Sequence, residues 1–400
     1  MSTTTLPESL TDDSRAKRAV VLLIWAQSVL GAQMPVHFIL GGLAGNHLAP
    51  NPALATVPIT MIVLGSMFAA PVMSWIMGRW GRRTGFVLGA VAGAAGGGLC
   101  ALALVQGSFA LFLTGSLVTG IYMAAHNFYR FAAADLASDS FRPKAISWVM
   151  AGGLMAAILG PEFVQLFGGA LEPVPFAGAY VFLIFLNLVG VLPMLLLDIP
   201  IQPRPPKGTR AGRPWREILA DPRVPVAMLC AMITYALMNL VMTSTPLAMI
   251  ICGFGTGDAA EVVRIHVLAM YIPSFFTGPL IARFGAPRII MTGLGLLAIA
   301  ACFALAGIDM VHFAGALAIV GIGWNFGFIG ATSMLASAHR PEERAKVQGV
   351  NDFLVFGTVT IGSAASGALL TGIGWHAVLL AVFPAVAIAA IAVLWLMRRN

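Results

Sequence analysis

Charged side chains are scarce in this sequence. Only 10% of its 400 residues are Asp, Glu, Lys or Arg, whereas 59% are hydrophobic. A soluble domain carries about 25% charged residues, so this composition excludes an ordinary soluble protein. Long apolar segments recur from one end of the chain to the other. We therefore predict an all-α membrane protein that crosses the bilayer many times.

Cysteine is also rare. The four residues Cys100, Cys230, Cys252 and Cys302 lie in apolar segments and form no close-spaced pair. This spacing indicates neither a disulfide scaffold nor a zinc site. The sequence shows no nucleophile–base spacing and no phosphate-binding loop, so we expect neither an enzyme nor a bound cofactor.

The apolar segments predict twelve transmembrane helices. They lie near residues 16–42, 53–78, 84–106, 108–135, 144–168, 176–198, 222–251, 258–282, 287–307, 310–336, 344–370 and 374–397.

The net charge of +7 follows the expected membrane topology. Nearly all Lys and Arg residues fall in alternate loops, which the positive-inside rule places in the cytoplasm. The polar N-terminus lacks the apolar core of a signal peptide, so we expect it to remain as a cytoplasmic tail. These features predict a protein of the bacterial inner membrane with both termini in the cytoplasm, and we separately expect a monomer. Its partner is lipid, and no nucleic-acid binding is expected.

The chain repeats itself about its middle. Arg79-Trp-Gly-Arg-Arg after the second helix resembles Arg283-Phe-Gly-Ala-Pro-Arg after the eighth. A Pro-rich basic segment separates the two sets of helices. We predict an N-terminal six-helix bundle at 1–198, a cytoplasmic linker at 199–221 and a C-terminal six-helix bundle at 222–400. Two such halves favour a central site worked by alternating access.

At this point the sequence resembles the major facilitator superfamily over its whole length. The resemblance rests on Arg79-x-Gly81-Arg82-Arg83, on its echo Arg283-x-Gly285 and on Gly160-Pro161. It implies the major facilitator fold. Gly78 stands where family members usually carry an acidic residue, and Ser116 stands where proton-coupled drug exporters usually carry Arg. These departures count against an ordinary drug/proton antiporter.

Several ionisable residues within the predicted helices are candidates for gating or proton coupling. Arg130 lies one helical turn after His126, and Asp352 is its expected partner from the eleventh helix. The alternative for Arg130 is a side chain that reaches the cytoplasmic interface. Glu162 either carries a coupling proton or bonds backbone groups freed by Gly160-Pro161. His37 either faces the cavity or bonds a neighbouring helix.

Methionine and histidine form a pattern in the seventh and eighth helices. Met238 and Met242 are four residues apart, as are His266 and Met270. Residues at this spacing share one helix face, and thioether and imidazole groups suit a soft metal such as Cu(I). The alternative is core packing, which is the commoner use of membrane methionine. Secondary candidates for metal binding are Met228, Met232, Cys230 and Cys252.

This Met–His pattern is similar to that of the CcoA-type copper importers. The resemblance implies that copper is the transported substrate, that Met238, Met242, His266 and Met270 handle it, and that it supplies assembly of cbb3-type cytochrome oxidase. Two alternatives stay open. One is a proton-coupled transporter of an organic metabolite or drug, for example a riboflavin-like compound. The other is a membrane sensor or assembly factor that transports nothing.

Overall fold

The computed structural model describes residues 13–51, 54, 57–200 and 212–399. Eleven helical segments within these ranges are long and apolar enough to cross a membrane. With the long helix Arg344–Gly372 they form the frame of the molecule. In chain order the frame consists of α1 (Ser14–Leu48), α2 (Val57–Trp80), α3 (Arg82–Gln106), α4 (Phe109–Asp135), α5 (Arg142–Phe167), α6 (Ala177–Leu196), α7 (Arg223–Ile251), α8 (Glu261–Phe284), α9 (Ala286–Leu305), α10 (Met310–Ala338), α11 (Arg344–Gly372) and α12 (Trp375–Arg399).

The all-α membrane fold predicted from the sequence is confirmed, and the predicted helices agree with the observed ones to within a few residues at most ends. The interior 201–211 of the predicted linker lies outside the described residues, as do residues 1–12 of the predicted tail. A short helix, Trp215–Ala220, follows this part of the chain and precedes α7.

Helix α1 is not regular throughout. A 3₁₀ turn at Leu30–Ala32 interrupts it just before Pro35. Proline has no N–H to continue the helical ladder, which favours a break at this point. The same region packs tightly on α5, because a Cβ added at Gly160 would lie 2.5 Å from the Pro35 side chain. The break thus shapes the contact between α1 and α5.

The sequence repeat is also a repeat of backbone conformation. Gly81 has φ 90° and ψ 160°, and Gly285 has φ 83° and ψ 149°. This region of φ/ψ space is open essentially to glycine alone. Both glycines turn the chain sharply between two antiparallel membrane helices, α2 to α3 and α8 to α9. The two halves therefore use the same turn at equivalent places.

Close helix packing in the bundles depends on small residues, as is usual within a membrane. A Cβ added at Gly65 of α2 would lie 2.3 Å from the carbonyl oxygen of Leu117 in α4. In the other half, a Cβ added at Gly293 of α9 would lie 2.5 Å from the backbone nitrogen of Gly327 in α10. Larger side chains at these positions would push the helices apart.

The two halves meet near the end of the molecule that carries Arg79–Arg83 and Arg340–Lys346, here called the basic end. Ser74 of α2 donates a hydrogen bond of 2.7 Å to the carbonyl oxygen of Ala345 in α11. In the other helix pair, Ser147 of α5 donates to the carbonyl oxygen of Ser274 in α8, and the Gly278 N–H donates to Ser147 Oγ at 2.9 Å. These contacts close the basic end between the halves.

Candidate functional site

The centre of the molecule holds a buried ion pair between the halves. Arg130 of α4 donates from Nη2 to Asp352 Oδ1 of α11 at 2.5 Å, and the side chains are 2% and 0% exposed. A second guanidinium nitrogen, Nη1, donates to Asn127 Oδ1 at 3.0 Å. Asn351 also donates to Asp352 Oδ1, at 2.9 Å. The structure thus brings together the two residues that the sequence paired.

Aromatic rings surround this ion pair. The Arg130 guanidinium lies 4.6 Å from the ring centroids of both Phe131 and Phe328. Phe328 stacks on Trp324 one turn away in α10, with centroids 5.3 Å apart and planes at 17°. Rings of this kind stabilise a cation through their negative faces. The pair is therefore shielded from water on the side of the C-terminal half.

Two half-buried tyrosines complete this aromatic cluster, which consists of Tyr235, Tyr271, Trp324, Phe328 and Phe356. Tyr235 of α7 lies 5.2 Å from Phe328 and 5.7 Å from Trp324 between ring centroids. Tyr271 of α8 packs edge-on against Trp324 at 6.2 Å. A Cβ added at Gly153 of α5 would lie 2.3 Å from the Tyr271 ring, so Tyr271 borders the N-terminal half. Four helices thus supply flat ring surfaces to one place.

Polar atoms in and beside the aromatic cluster have hydrogen-bonding capacity to spare. Trp324 Nε1, Asn239 Nδ2 and Asp352 Oδ2 are buried and have no hydrogen-bond partner within the described part of the chain. Asn239 lies one helical turn from Tyr235 on α7. A buried donor left without a partner costs about 1–3 kcal/mol. The free donors beside these ring surfaces are chemically complementary to carbonyl or ring-nitrogen acceptors.

A second charge network lies between the ion pair and the basic end. Asp135 at the end of α4 pairs with Arg82 of α3 at 2.9 Å and with Arg344 of α11 at 3.0 Å. Arg82 Nη2 also donates to Gln348 Oε1 of α11 at 2.5 Å. Arg82 and Asp135 belong to one half and Arg344 and Gln348 to the other. The network therefore holds the two halves together on this side of the site.

The methionines and histidine predicted to line a copper path lie mostly within helix packing. Met238 is 2% exposed, Met270 is 7% exposed and His266 is fully buried. His266 Nδ1 lies 2.7 Å from the carbonyl oxygen of Leu317 in α10, which fixes the ring against the neighbouring helix. Met242 alone is half-buried. Met242 also packs against the hydrophobic core, so packing inside the C-terminal half accounts for all four residues.

The secondary metal candidates do not form one group. Met228 and Cys230 are buried, Met232 is half-buried and Cys252 is exposed just after the end of α7. In the ranges that the structure describes, no three His, Cys, Asp or Glu side chains come together as a metal site.

The three remaining gating candidates, His37, His126 and Glu162, take no part in the Arg130–Asp352 ion pair. His37 is buried in the N-terminal bundle and packs against Tyr180, with ring centroids 5.4 Å apart. His126 lies among Tyr122 and Tyr129, one turn from Arg130 on α4. Glu162 has an exposed side chain. An exposed side chain does not match the desolvated coupling acid, which was one of the two roles considered for Glu162.

Sequence reasoning missed the aromatic cluster and the second charge network. Tyr235, Tyr271, Trp324 and Phe328 come from three helices, and aromatic residues in apolar helices look like any other core residue. Asp135 had a visible signal, since it is an acidic residue at the end of an apolar helix. Its partners, however, lie 53 and 209 residues away in the sequence, beyond the reach of any local pattern.

The fold and site define a class of protein, namely a transporter of two six-helix halves with a central site between them. The sequence model of the Major Facilitator Superfamily matches residues 19–270 and 259–400. The chain belongs to the Major Facilitator Superfamily. The resemblance to this family inferred from Gly81, Gly285 and their neighbours is thereby confirmed.

Relatives with similar sequences are also transporters. The chain is 42% identical to the riboflavin transporter RfnT of Brucella anthropi over 380 residues, which are 95% of this chain and 96% of that protein. It is 27% identical to YddS of Bacillus subtilis, an uncharacterized MFS-type transporter, over 88% of this chain and 84% of the relative.

Solved structures agree in fold. The human organic anion transporter MFSD10 gives a TM-score of 0.74 at 16% identity, with 94% of this chain and 99% of that chain covered. The fucose:proton symporter FucP of E. coli gives a TM-score of 0.72 at 15% identity, with 95% and 98% covered. These likenesses concern the fold alone.

The copper hypothesis is wrong. A relative with 42% identity across almost the whole chain is a riboflavin transporter, which favours the organic-metabolite alternative over copper import. The resemblance to CcoA-type importers and the link to cytochrome oxidase assembly lose their support with it. Two methionine pairs and one His–Met pair were too short a motif, because membrane helices use methionine widely as a flexible packing residue.

Proposed function

We propose that the protein is a riboflavin importer of the bacterial cytoplasmic membrane, with its basic end and both termini in the cytoplasm. The observation that carries the proposal is the 42% identity to a riboflavin transporter over 95% of the chain. The positive-inside distribution of Lys and Arg supports the orientation. Substrate would enter from the side opposite the basic end and leave through the basic end.

The chemistry of the central site supports a flavin as substrate. A flavin has a flat three-ring system with carbonyl oxygens and ring nitrogens along one edge. Tyr235 and Tyr271 offer ring faces for stacking, which is favourable at about 0.5–1.5 kcal/mol per aromatic pair beyond burial. The unpaired donors Trp324 Nε1 and Asn239 Nδ2 suit the acceptor edge. Recognition by buried donors also discriminates strongly against molecules that lack the acceptors.

The two charge groups suit an alternating-access cycle. The Arg82–Asp135–Arg344 network and the Arg130–Asp352 pair both join α3 or α4 of one half to α11 of the other. Release of substrate at the basic end requires these contacts to separate. The buried Asp352 oxygen without a partner is the group that we propose to respond to substrate or to a proton during this step.

Uptake of radiolabelled riboflavin tests the proposal directly. Cells that cannot make riboflavin would express the wild-type protein, the Tyr235→Ala variant or the Leu247→Ala variant. Leu247 is an exposed residue of the same helix, 45% exposed, and serves as the matched control. We expect uptake by the wild type and the control, and at least a tenfold loss in Tyr235→Ala. Wild-type protein that reaches the membrane but gives no uptake above empty cells would refute the proposal.

Competition by related molecules sharpens the test. Lumichrome keeps the three-ring system without the ribityl chain, and ribitol is the chain alone. If the rings are bound by the aromatic cluster, lumichrome should compete with riboflavin and ribitol should not. The opposite order of competition would move the recognition site away from Tyr235 and Trp324.

A further inference from the structure

His339 occupies a position where its protonation state is fixed by its neighbours. It follows the end of α10 at the basic end and is half-buried. Its Nδ1 lies 3.1 Å from the carbonyl oxygen of Arg340, and its Nε2 lies 3.3 Å from Nε2 of Gln348. The proton positions follow from the chemistry of each partner.

The chain of donors begins at Arg82. A guanidinium can only donate, so the Gln348 atom 2.5 Å from Arg82 Nη2 is the amide oxygen. The amide nitrogen of Gln348 then faces His339 Nε2 and donates to it. His339 Nε2 must therefore be an unprotonated acceptor, and the ring proton sits on Nδ1, where it donates to the Arg340 carbonyl. The bond from Gln348 to His339 therefore requires a neutral imidazole.

Protonation of His339 would place two donors against each other. The Nε2–H of an imidazolium and the Gln348 amide N–H groups cannot bond. If the Gln348 amide rotated to offer its oxygen to His339, its NH₂ group would face the Arg82 guanidinium instead. Without that rotation the Gln348–His339 bond is lost, and with that rotation the contact between Arg82 of one half and Gln348 of the other is lost. A proton on His339 thus weakens one of the contacts that hold the basic end closed.

We propose that His339 is a proton-binding site that opens the basic end of the transporter when that side becomes acidic. His339 is half-buried and lies after the last turn of α10, so a proton from the basic end reaches it directly. It acts through Gln348 on the Arg82 contact and does not touch the central site. This role is separate from the choice of substrate.

The surrounding charges agree with a neutral His339 in the closed state. Burial is the largest influence and lowers the pKa of His339 below its ordinary value of 6.5. Arg344 of α11 and Arg82 of α3 lower the pKa further, while the Arg340 carbonyl and Asp135 of α4 raise it. Opening the basic end frees the ring and returns its pKa towards 6.5. The closed state therefore loses stability as the pH falls from about 6.5 to the lowered value, and keeps it above 6.5.

The test measures conformation in the full-length protein in lipid nanodiscs. Nitroxide labels would be placed at Ser140→Cys and Glu342→Cys, which are exposed residues on opposite halves at the basic end, after the exposed Cys252 and Cys302 are replaced by Ser. Double electron–electron resonance between pH 8 and pH 5 gives the ratio of short to long distances. We expect this ratio to fall below pH 6.5, by up to about tenfold per pH unit.

Two variants distinguish this device from a general effect of acid. His339→Gln cannot titrate and should remove most of the pH response. Gln348→Glu should reverse its sign, because a carboxylate accepts from Arg82 and from an imidazolium alike, so that acid strengthens closure. His312→Gln, at the opposite end beside Asp309, should respond like the wild type. A distance ratio in the wild type that does not change with pH, or a response shared by His339→Gln, would overturn the proposal. None of these distance measurements depends on whether the protein transports riboflavin.

Discussion

Arg130 and Asp352 form an ion pair of 2.5 Å that joins the two halves of the molecule, and neither side chain is more than 2% exposed. Removal of one partner of a buried pair leaves the other charge uncompensated, at a cost of about 3–5 kcal/mol. Their position between α4 and α11 makes them the central link of the closed state.

Single substitutions of this pair should abolish transport. We expect Arg130→Ala and Asp352→Ala each to reduce uptake at least tenfold and to lower thermal stability, because each leaves a buried charge unpaired. The double exchange Arg130→Asp with Asp352→Arg should restore part of the uptake and part of the thermal stability. Alanine at Arg15, whose exposed pair with Asp198 is open to water, should change neither quantity. A double exchange no better than the single variants would remove the pairing from the mechanism.

The indole N–H of Trp324 should matter separately from its ring. Trp324→Phe keeps a stacking surface against Phe328 and removes only the unpaired donor. We expect the apparent KM for riboflavin to rise about tenfold, in line with about 1.5 kcal/mol for one buried hydrogen bond. Phe313→Leu, a change at another buried ring of α10, is the control for packing. Unchanged KM in Trp324→Phe would mean that the donor does not contact substrate.

The methionines of α7 should be replaceable. Met238→Leu and Met242→Leu conserve side-chain volume and should cost less than about 1.5 kcal/mol of stability. We expect riboflavin uptake close to that of the wild type in both. Copper accumulation measured in the same cells should not differ between the wild type, the variants and empty cells. Loss of copper uptake on either substitution would restore the metal hypothesis.

The repeated glycine turns should tolerate no side chain. Gly81→Ala and Gly285→Ala force a Cβ into a conformation that costs about 1–3 kcal/mol, so we expect lower midpoints of thermal unfolding for both. Gly295→Ala is the matched control, since its added Cβ would meet no atom within 4 Å in the middle of α9. Equal midpoints for all three variants would show that the turns relax without strain.

Glu343 should anchor the chain segment that follows the linker. It accepts hydrogen bonds from Arg213 Nε at 2.7 Å and Nη2 at 2.8 Å, and these bonds lower the pKa of Glu343 to about 2. The anchor is therefore complete above the ordinary value of 4.5 and is lost as the pH falls towards 2. A nitroxide at the exposed position 216 should become mobile over this range, and in Glu343→Gln already at pH 7. The exposed neighbour variant Glu342→Gln should leave the label immobile.

Local patterns in the sequence were sufficient to predict the membrane helices and the repeat of the two halves. Apolar length alone predicts membrane spans, and Gly81 and Gly285 recur because both turns need a backbone conformation that other residues resist. The Arg130–Asp352 pair was also within reach, since a charge inside a membrane helix requires a partner and few candidates existed.

Only the tertiary structure decided which side chains lie next to one another. Met238, Met242, His266 and Met270 have the spacing of ligands, yet they are used in helix packing. Spacing along a helix determines which face a residue lies on, but not which neighbouring helix covers that face. Tyr235, Tyr271 and Trp324 carry no pattern, yet they meet beside the ion pair. Helix faces are set by the sequence within one helix, whereas the site between the halves is set by how twelve helices pack.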